Sequence, residues 1–138
     1  MDIALEAILN HANDITKFET LEEYDSQIDN NGMKKSVKLP AFLIHFMRVR
    51  IVTDRPYMNF HGLVITQSKS FDRKVNRKNG LTLASELFNH FINYPGFTYS
   101  RAGTDYDFQI NTDTITMNTL FTDERFVIHG FTIDVQYI

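Results

Sequence analysis

Residues 131–137 alternate strictly between apolar and polar side chains. The apolar phase contains Phe131, Ile133, Val135 and Tyr137, and the polar phase contains Thr132, Asp134 and Gln136. Successive side chains of a strand point to opposite faces of a sheet, so this pattern predicts a half-buried strand within residues 125–138. A chain with such a strand has to build a sheet and cover one of its faces.

Two earlier segments predict an antiparallel hairpin. Residues 41–47, which follow Pro40, are apolar on both phases of the two-residue period, as expected of a central strand covered on both faces. Residues 57–69 are also strand-like, and Gly62 within them marks a bulge or a close approach of another segment. The turn residues 53–56 join the two strands.

The last third of the chain predicts a second hairpin. Within residues 114–121, Ile115, Met117 and Phe121 alternate with Thr116 and Asn118. Residues 122–124 form a turn that leads directly into the strand at residues 125–138. This terminal strand has no conspicuous edge protection. It is therefore a template for pairing with another chain, unless another segment covers its edge.

Two helices are predicted. The first covers residues 2–16 and begins at a good N-cap residue. The second covers residues 81–93, with Asn79 as its cap, and residues 94–96 (Tyr-Pro-Gly) end it. Its apolar residues share one face: Leu81, Ala84, Leu87, Phe88, Phe91 and Ile92. Residues 70–80 are predicted to be a polar connection before this helix.

Together these elements predict one α+β domain over residues 1–138, with an antiparallel or mixed sheet of about four to five strands and two helices packed on one face. The length of 138 residues and the hydrophobic content of 43% are those of one globular domain. Twelve phenylalanines and six tyrosines favour a sheet-rich core. Residues 17–38 are a variable acidic excursion, interpreted as a short helix or a mobile segment that could also cover a strand edge.

The sequence contains no recognisable catalytic or metal-binding motif, which predicts a protein that is not an enzyme and needs no cofactor. The absence of cysteine excludes disulfides and thiolate ligands. None of the five histidines lies at a spacing that places two metal ligands on one face, although His45, His61 and His129 on predicted strands could converge. Residues 103–107 lack the oxygen ligands of a calcium loop, so we interpret them as a solvated turn.

The charge distribution singles out one segment. A net charge of −3 provides no general attraction to nucleic acid or to anionic membranes. Against this acidic background, five cations lie close together beside one aromatic residue: Lys69, Phe71, Arg73, Lys74, Arg77 and Lys78. The segment is either a contact surface for an acidic partner or a phosphate backbone, or an ordinary solvated loop.

The order and spacing of the elements resemble a known family. A short N-terminal helix and an acidic segment precede Leu39-Pro40-Ala41-Phe42-Leu43-Ile44, which opens the sheet. A second strand follows, then the helix at residues 81–92 closed by residues 94–97, and a hairpin that ends in residues 131–137. Over nearly its whole length the chain thus resembles the tail-terminator, or tail-completion, proteins of long-tailed bacteriophages, which are related to minor tail proteins of Mu-like phages. The segment at residues 17–38 is longer and more acidic than the corresponding segment expected in that family.

The resemblance implies a structural virion protein assembled in the host cytoplasm. Such a protein forms a ring, typically a hexamer, that caps the head-proximal end of the tail tube, ends its polymerisation and joins the neck. Its partners are further copies of itself, the tail-tube protein and a neck or head-completion protein, while DNA passes through without specific binding. A ring needs head-to-tail contacts, which we expect from the strand edges and residues 69–78.

Two alternatives remain at this point. One is another phage neck, head-completion or minor tail subunit built on a similar fold. The other belongs to a different class: a small ligand-binding domain or enzyme with a pocket between the second helix and the sheet, using His45, His61 or His129 as its polar group. The N-terminal residues lack the features of a signal peptide and no run is long enough for a membrane span, so we expect no membrane association.

Overall fold

In a computed structural model, which describes residues 2–29, 32–33, 37–122 and 125–138, a helix is followed by a run of strands, a second helix and a second run of strands. The helices are α1 (Asp2–Ala12), followed by a 3-10 turn (Asn13–Ile15), and α2 (Arg73–Asn93). The strands are β1 (Thr20–Glu23), β2 (Ile28–Asp29), β3 (Gly32–Met33), β4 (Ala41–Val52), β5 (Arg55–Gln67), β6 (Gly96–Arg101), β7 (Thr104–Ile110), β8 (Thr116–Thr122) and β9 (Phe126–Tyr137). Among the described residues, no helix is both long and apolar enough to cross a membrane.

Seven of the strands form one mixed sheet. Their order is β1-β4-β5-β9-β7-β6, and β8 also pairs with β9. β1 and β4 are parallel, whereas the other pairs in this sheet are antiparallel. The α+β class is confirmed, but the sheet is larger than the predicted four to five strands. The added strands are β1, which comes from the acidic excursion, and the hairpin of β6 and β7.

The hairpin of β6 and β7 includes the segment that was interpreted as a solvated turn, residues 103–107. The turn between the two strands is tight, and both of its residues have positive φ. Asp105 and Asp107 lie beyond it on β7, where they accept hydrogen bonds from the hydroxyl groups of Ser100 and Thr98 on β6. The interpretation was wrong because these cross-strand donors make two aspartates compatible with a strand.

Both helices pack on one face of the sheet, as predicted. Their buried apolar side chains are Ala4, Ala7, Ile8 and Ala12 on α1, and Ala84, Leu87 and Phe91 on α2. The sheet adds aromatic side chains to the same core: Phe42, Phe60, Phe108 and Phe131. Gly62 is a point of close approach, because a Cβ there would lie 2.7 Å from Cε1 of Phe42. The bulge of this hairpin lies elsewhere, between Phe46 and Arg48.

β9 lies in the middle of the sheet, which contradicts the prediction of a half-buried strand with an open edge. β5 pairs along one side of it, and β8 and β7 pair along the other. Both phases of the strand are buried, with Phe131 and Ile133 on one and Ile128 and Asp134 on the other. The apolar phase was predicted correctly, but alternation within a strand does not reveal which strands pair beside it. The predicted turn at residues 122–124 lies partly outside the described residues.

The acidic excursion covers part of the second face of the sheet. Three of its side chains, Tyr24, Ile28 and Val37, pack there together with the adjacent Leu39. They cover apolar residues of the three central strands: Ala41, Leu43, Ile65, Phe126 and Ile128. At the start of the excursion, β1 pairs with Ala41–Ile44 of β4. The described part of the excursion therefore forms a strand and a cover for the sheet, not the predicted helix or mobile segment.

Asp134 is the polar centre of this second face. Its fully buried carboxylate accepts hydrogen bonds from Asn59 at 3.0 Å and from the Thr114 hydroxyl at 2.6 Å. The Arg50 guanidinium donates to both carboxylate oxygens, with Nε 2.8 Å from Oδ1. Burial alone would raise the pKa of Asp134, but the hydrogen bonds from Arg50, Thr114 and Asn59 together hold it below its usual value.

We expect the protein to lose stability in acid through this carboxylate. A carboxyl whose pKa is lower in the folded chain stabilises the fold above the unfolded pKa of about 3.9, and this stabilisation is lost as the pH falls through the folded value. The free energy of unfolding from urea titrations should therefore fall as the pH is lowered below about 4. Asp134→Asn should flatten this slope, and an unchanged slope in that variant would contradict the assignment to Asp134.

Candidate assembly surfaces

The basic segment lies at the N-terminal end of α2. The helix begins at Arg73, and Asp72 is its N-cap, with Oδ1 accepting a hydrogen bond from the backbone N–H of Lys74 at 2.9 Å. The predicted start at Leu81 and the predicted cap Asn79 were therefore wrong. Most of the cationic side chains project from a helix instead of a polar connection.

The physical reason for this error is the nature of the buried positions in the first turns of α2. They are Asn76 and Gly80, neither of which contributes an apolar side chain to the helical pattern. Asn76 is nevertheless only 2% exposed, and its Oδ1 accepts hydrogen bonds from the backbone N–H groups of Lys69 and Ser70, each at 3.0 Å. Its Nδ2 donates to the carbonyl oxygen of Ser70 at 2.7 Å. This amide anchors the turn that carries the first part of the basic segment.

All six predicted interface residues are exposed and lie at this end of α2, and we call them the basic patch: Lys69, Phe71, Arg73, Lys74, Arg77 and Lys78. Spacings of four residues place Arg73 beside Arg77 and Lys74 beside Lys78 on the helix surface. Cations at the N-terminus of a helix lie near the positive end of its dipole, so the local positive potential is reinforced. Such a surface suits an acidic partner.

A second surface is the outer edge of β4. β1 pairs with this strand only along Ala41–Ile44, so within the described residues no strand pairs with the outer side of residues 45–52, which we call the hairpin edge. Val49 and Ile51 in this stretch are 58% and 67% exposed. An unpaired strand edge with exposed apolar side chains is a site at which another chain can add.

A shallow groove lies beside the hairpin edge. It has a volume of about 260 Å³ and is lined mostly by apolar residues from three strands: Val49, Pro56, Tyr57, Met58, Val135, Gln136 and Tyr137. Tyr137 and Ile138 at the end of β9 are also more than half exposed. The groove therefore extends the apolar surface of the hairpin edge onto the neighbouring strands.

A third surface is the edge of β6, at the far end of the strand order from β1. β6 pairs with β7 on one side, and no described strand pairs with its other side. The hairpin edge and the β6 edge are therefore two different uncovered edges of one sheet. The edge predicted for assembly, that of the terminal strand, is instead covered on both sides.

The histidines lie in three separate places. His45 and His61 face each other across β4 and β5, with ring centroids 5.9 Å apart. His129 is fully buried on the opposite face of the sheet, so the three strand histidines do not converge. His11 and His90 meet instead, with ring centroids 4.5 Å apart. Sequence reasoning missed this pair because 78 intervening residues separate them.

A cleft lies between α2 and the sheet, where the ligand-binding alternative places its pocket. Its volume is about 360 Å³, and its lining includes Thr66, Leu83 and an ion pair between Lys17 and Glu86 at 2.8 Å. In the part of the chain that the structure describes, Oγ1 of Thr66 is buried without a hydrogen-bond partner, and a small ligand in the cleft could satisfy it. Among the same residues, both ring nitrogens of His129 are also buried without a partner, but His129 does not line the cleft.

Comparison with the models of known protein families and with curated proteins finds no match to this chain.

Proposed function

We propose that this chain is a structural assembly subunit of the tail-terminator kind, which forms a ring that caps a phage tail tube and ends its polymerisation. The observation that carries the proposal is the hairpin edge, where Val49 and Ile51 are exposed on a stretch of β4 whose outer side pairs with no strand among the described residues. The hairpin edge supports association with another chain in general. The specific proposal of a tail terminator comes from the resemblance in the order of helices and strands.

Two different uncovered edges support a ring in particular. In a head-to-tail contact, the hairpin edge of one copy meets a different patch of the next copy, such as the β6 edge. A contact between two different patches can repeat from one copy to the next. The copies form a closed ring when a whole number of the rotations that relate neighbouring copies adds up to a full turn. A symmetric dimer would leave one of the two edges uncovered in each copy.

The basic patch has a separate role in this proposal. Its cations lie at the end of α2, whereas the hairpin edge lies on β4, so ring formation and partner docking use different residues. We assign the basic patch to docking on an acidic surface of the tail tube or the neck. The remaining surface carries the net negative charge of the chain, which suits a ring through which DNA passes without binding tightly.

The test of the proposal is the solution mass of the purified protein, measured by light scattering behind gel filtration over a wide concentration range. We expect a mass near six times the protomer mass of 16.1 kDa, and a monomer when Val49 and Ile51 are both replaced by lysine. Lysines on an edge strand prevent edge-to-edge pairing while leaving the strand itself intact. A Val49→Lys, Ile51→Lys variant with the wild-type mass would contradict the assignment of the hairpin edge.

The matched control replaces Arg73, Lys74, Arg77 and Lys78 by serine. This variant should keep the ring mass and the wild-type melting temperature, because surface substitutions change stability by less than about 0.5 kcal/mol each. Its docking on purified tail tubes should be weakened, and unchanged tail assembly would rule out the docking role of the basic patch. A wild-type protein that is monomeric and does not bind tail tubes would contradict the proposal as a whole.

The cleft between α2 and the sheet supports a second candidate function, a small ligand-binding domain. The specific observation in its favour is Oγ1 of Thr66, which lies in the lining of the cleft and is buried without a hydrogen-bond partner among the described residues. A stable monomer that retains a small molecule through purification, identified by native mass spectrometry, would favour this candidate over the ring.

A further inference from the structure

Two imidazoles and one carboxylate meet where the end of α1 contacts the end of α2. Nδ1 of His11 and Nε2 of His90 each lie 3.5 Å from Oδ2 of Asp14. One potential ligand atom from each of the three residues lies within 4.8 Å of the other two. Ligand atoms around a tetrahedral zinc ion, at zinc–ligand distances of about 2.0–2.1 Å, lie roughly 3.3 Å apart. The two separations from Asp14 are therefore close to those around a bound ion.

His11 is held in the orientation that a metal ligand requires. Its Nε2 lies 2.8 Å from the carbonyl oxygen of Tyr94, so Nε2 carries the hydrogen and donates it there. The lone pair is then on Nδ1, the nitrogen that faces Asp14. The ring is only 6% exposed and stacks on Phe97, with centroids 4.4 Å apart and planes inclined by 7°. Metal-binding histidines are commonly oriented by a second hydrogen bond of this kind.

The protonation of His11 also suits a ligand. Burial lowers the pKa of His11 below its usual value, against the opposing effect of the hydrogen bond to the Tyr94 carbonyl, and the nearby His90 lowers it further. A neutral imidazole at neutral pH can offer its lone pair without first losing a proton.

His90 has a choice between two partners. Its Nε2 lies 3.1 Å from the carbonyl oxygen of His11 and 3.5 Å from Oδ2 of Asp14. With hydrogen on Nε2, the ring donates to the His11 carbonyl. With hydrogen on Nδ1, the Nε2 lone pair becomes available beside Asp14. Metal binding would select the second tautomer, so the nuclear magnetic resonance signals of the ring nitrogens of His90 should change when an ion binds.

We propose that His11, Asp14 and His90 bind one borderline divalent cation, for which Zn²⁺ is the best match, and that this ion ties the end of α1 to the end of α2. Two imidazoles with one carboxylate form a ligand set typical of zinc, and the hard ions magnesium and calcium prefer oxygen ligands. Three protein ligands leave a fourth position. The three residues line a cleft of about 590 Å³ together with Asn10, Tyr94, Gly96 and Thr98. The proposal does not depend on the ring function.

The experiment is a titration of tag-free, metal-free protein with ZnCl₂ by isothermal calorimetry at neutral pH. We expect one ion per chain, with affinity reduced at least tenfold in Asp14→Ala and in His90→Ala. Asp14 is 61% exposed, so its replacement leaves the fold intact. His45→Ala is the matched control, because His45 and His61 form the other close histidine pair among the described residues. That variant should bind zinc with wild-type affinity.

Two further measurements separate a metal site from a structural cluster. Zinc should raise the melting temperature of the wild-type protein, because it binds the folded state, and should not raise that of His90→Ala. In the wild-type protein, the ring signals of His11 and His90 should shift together in slow exchange. Absence of binding, or binding lost in His45→Ala and retained in His90→Ala, would overturn the proposal.

Discussion

Replacing Phe131 by aspartate is expected to abolish cooperative folding. Phe131 is 3% exposed and lies edge-on to Phe42 and Phe91, with ring centroids 6.2 and 6.5 Å away. Loss of a buried phenylalanine side chain costs about 3–5 kcal/mol, and burial of an unpaired carboxylate adds to that cost. A domain of this size is stable by only about 5–15 kcal/mol. Thermal melting followed by circular dichroism should show no cooperative transition.

Phe71→Asp is the matched control for that substitution. Phe71 is fully exposed in the basic patch, so the same chemical change there should alter the free energy of unfolding by less than about 0.5 kcal/mol. A soluble Phe131→Asp variant that melts near the wild-type temperature would show that the phase of β9 is wrong. Equal destabilisation by both substitutions would show that the effect is not specific to the core.

Replacing Asp134 by alanine should be the next most damaging change. It removes the acceptor for Arg50, Asn59 and Thr114 and leaves these donors on the second face without their common partner. Breaking a buried, hydrogen-bonded ion pair costs about 3–5 kcal/mol. The Arg50 side chain is one-third exposed and can be rehydrated, so we expect about 2–4 kcal/mol, measured as the loss in free energy of unfolding in urea.

Asp113→Ala is the control for this loss. Asp113 is an exposed carboxylate in the turn before β8, and its removal should leave stability within about 0.5 kcal/mol of wild type. A double variant, Asp134→Ala with Arg50→Ala, should recover part of the loss, because the unpaired guanidinium is removed as well. Equal stability losses in Asp134→Ala and Asp113→Ala would contradict a buried network.

The two surfaces assigned to assembly can be separated experimentally because they lie on different elements. Variants of the hairpin edge should lose the ring and variants of the basic patch should keep it. The proposed zinc site of His11, Asp14 and His90 lies on a different part of the fold, at the ends of the two helices. Failure of the ring proposal would therefore leave the metal proposal standing, and the reverse is equally true.

Local periodicity determined a large part of this fold from the sequence alone. The burial of residues 41–44 of β4 on both faces, the phase of Phe131 and Ile133 in β9, and the burial of Ala84, Leu87 and Phe91 on one face of α2 were correctly predicted, whereas Met47 and Leu81 of the same predicted sets are exposed. Each of these features depends on the spacing of apolar residues within one segment, and burial of one face follows directly from that spacing. The prediction failed for the first turns of α2, where Asn76 and Gly80 occupy the buried positions without adding to the pattern.

Only the tertiary structure decided which segments lie next to one another. Strand order makes β9 central and leaves the outer side of residues 45–52 of β4 without a strand partner among the described residues. It also brings Arg50 to Asp134 across 83 intervening residues. It likewise brings His90 to His11. These contacts depend on how the sheet and the helices pack together. The sequence around each residue does not predict them. The sequence determined which faces are buried, and the packing of the sheet and helices determined which polar groups and strand edges meet or remain exposed.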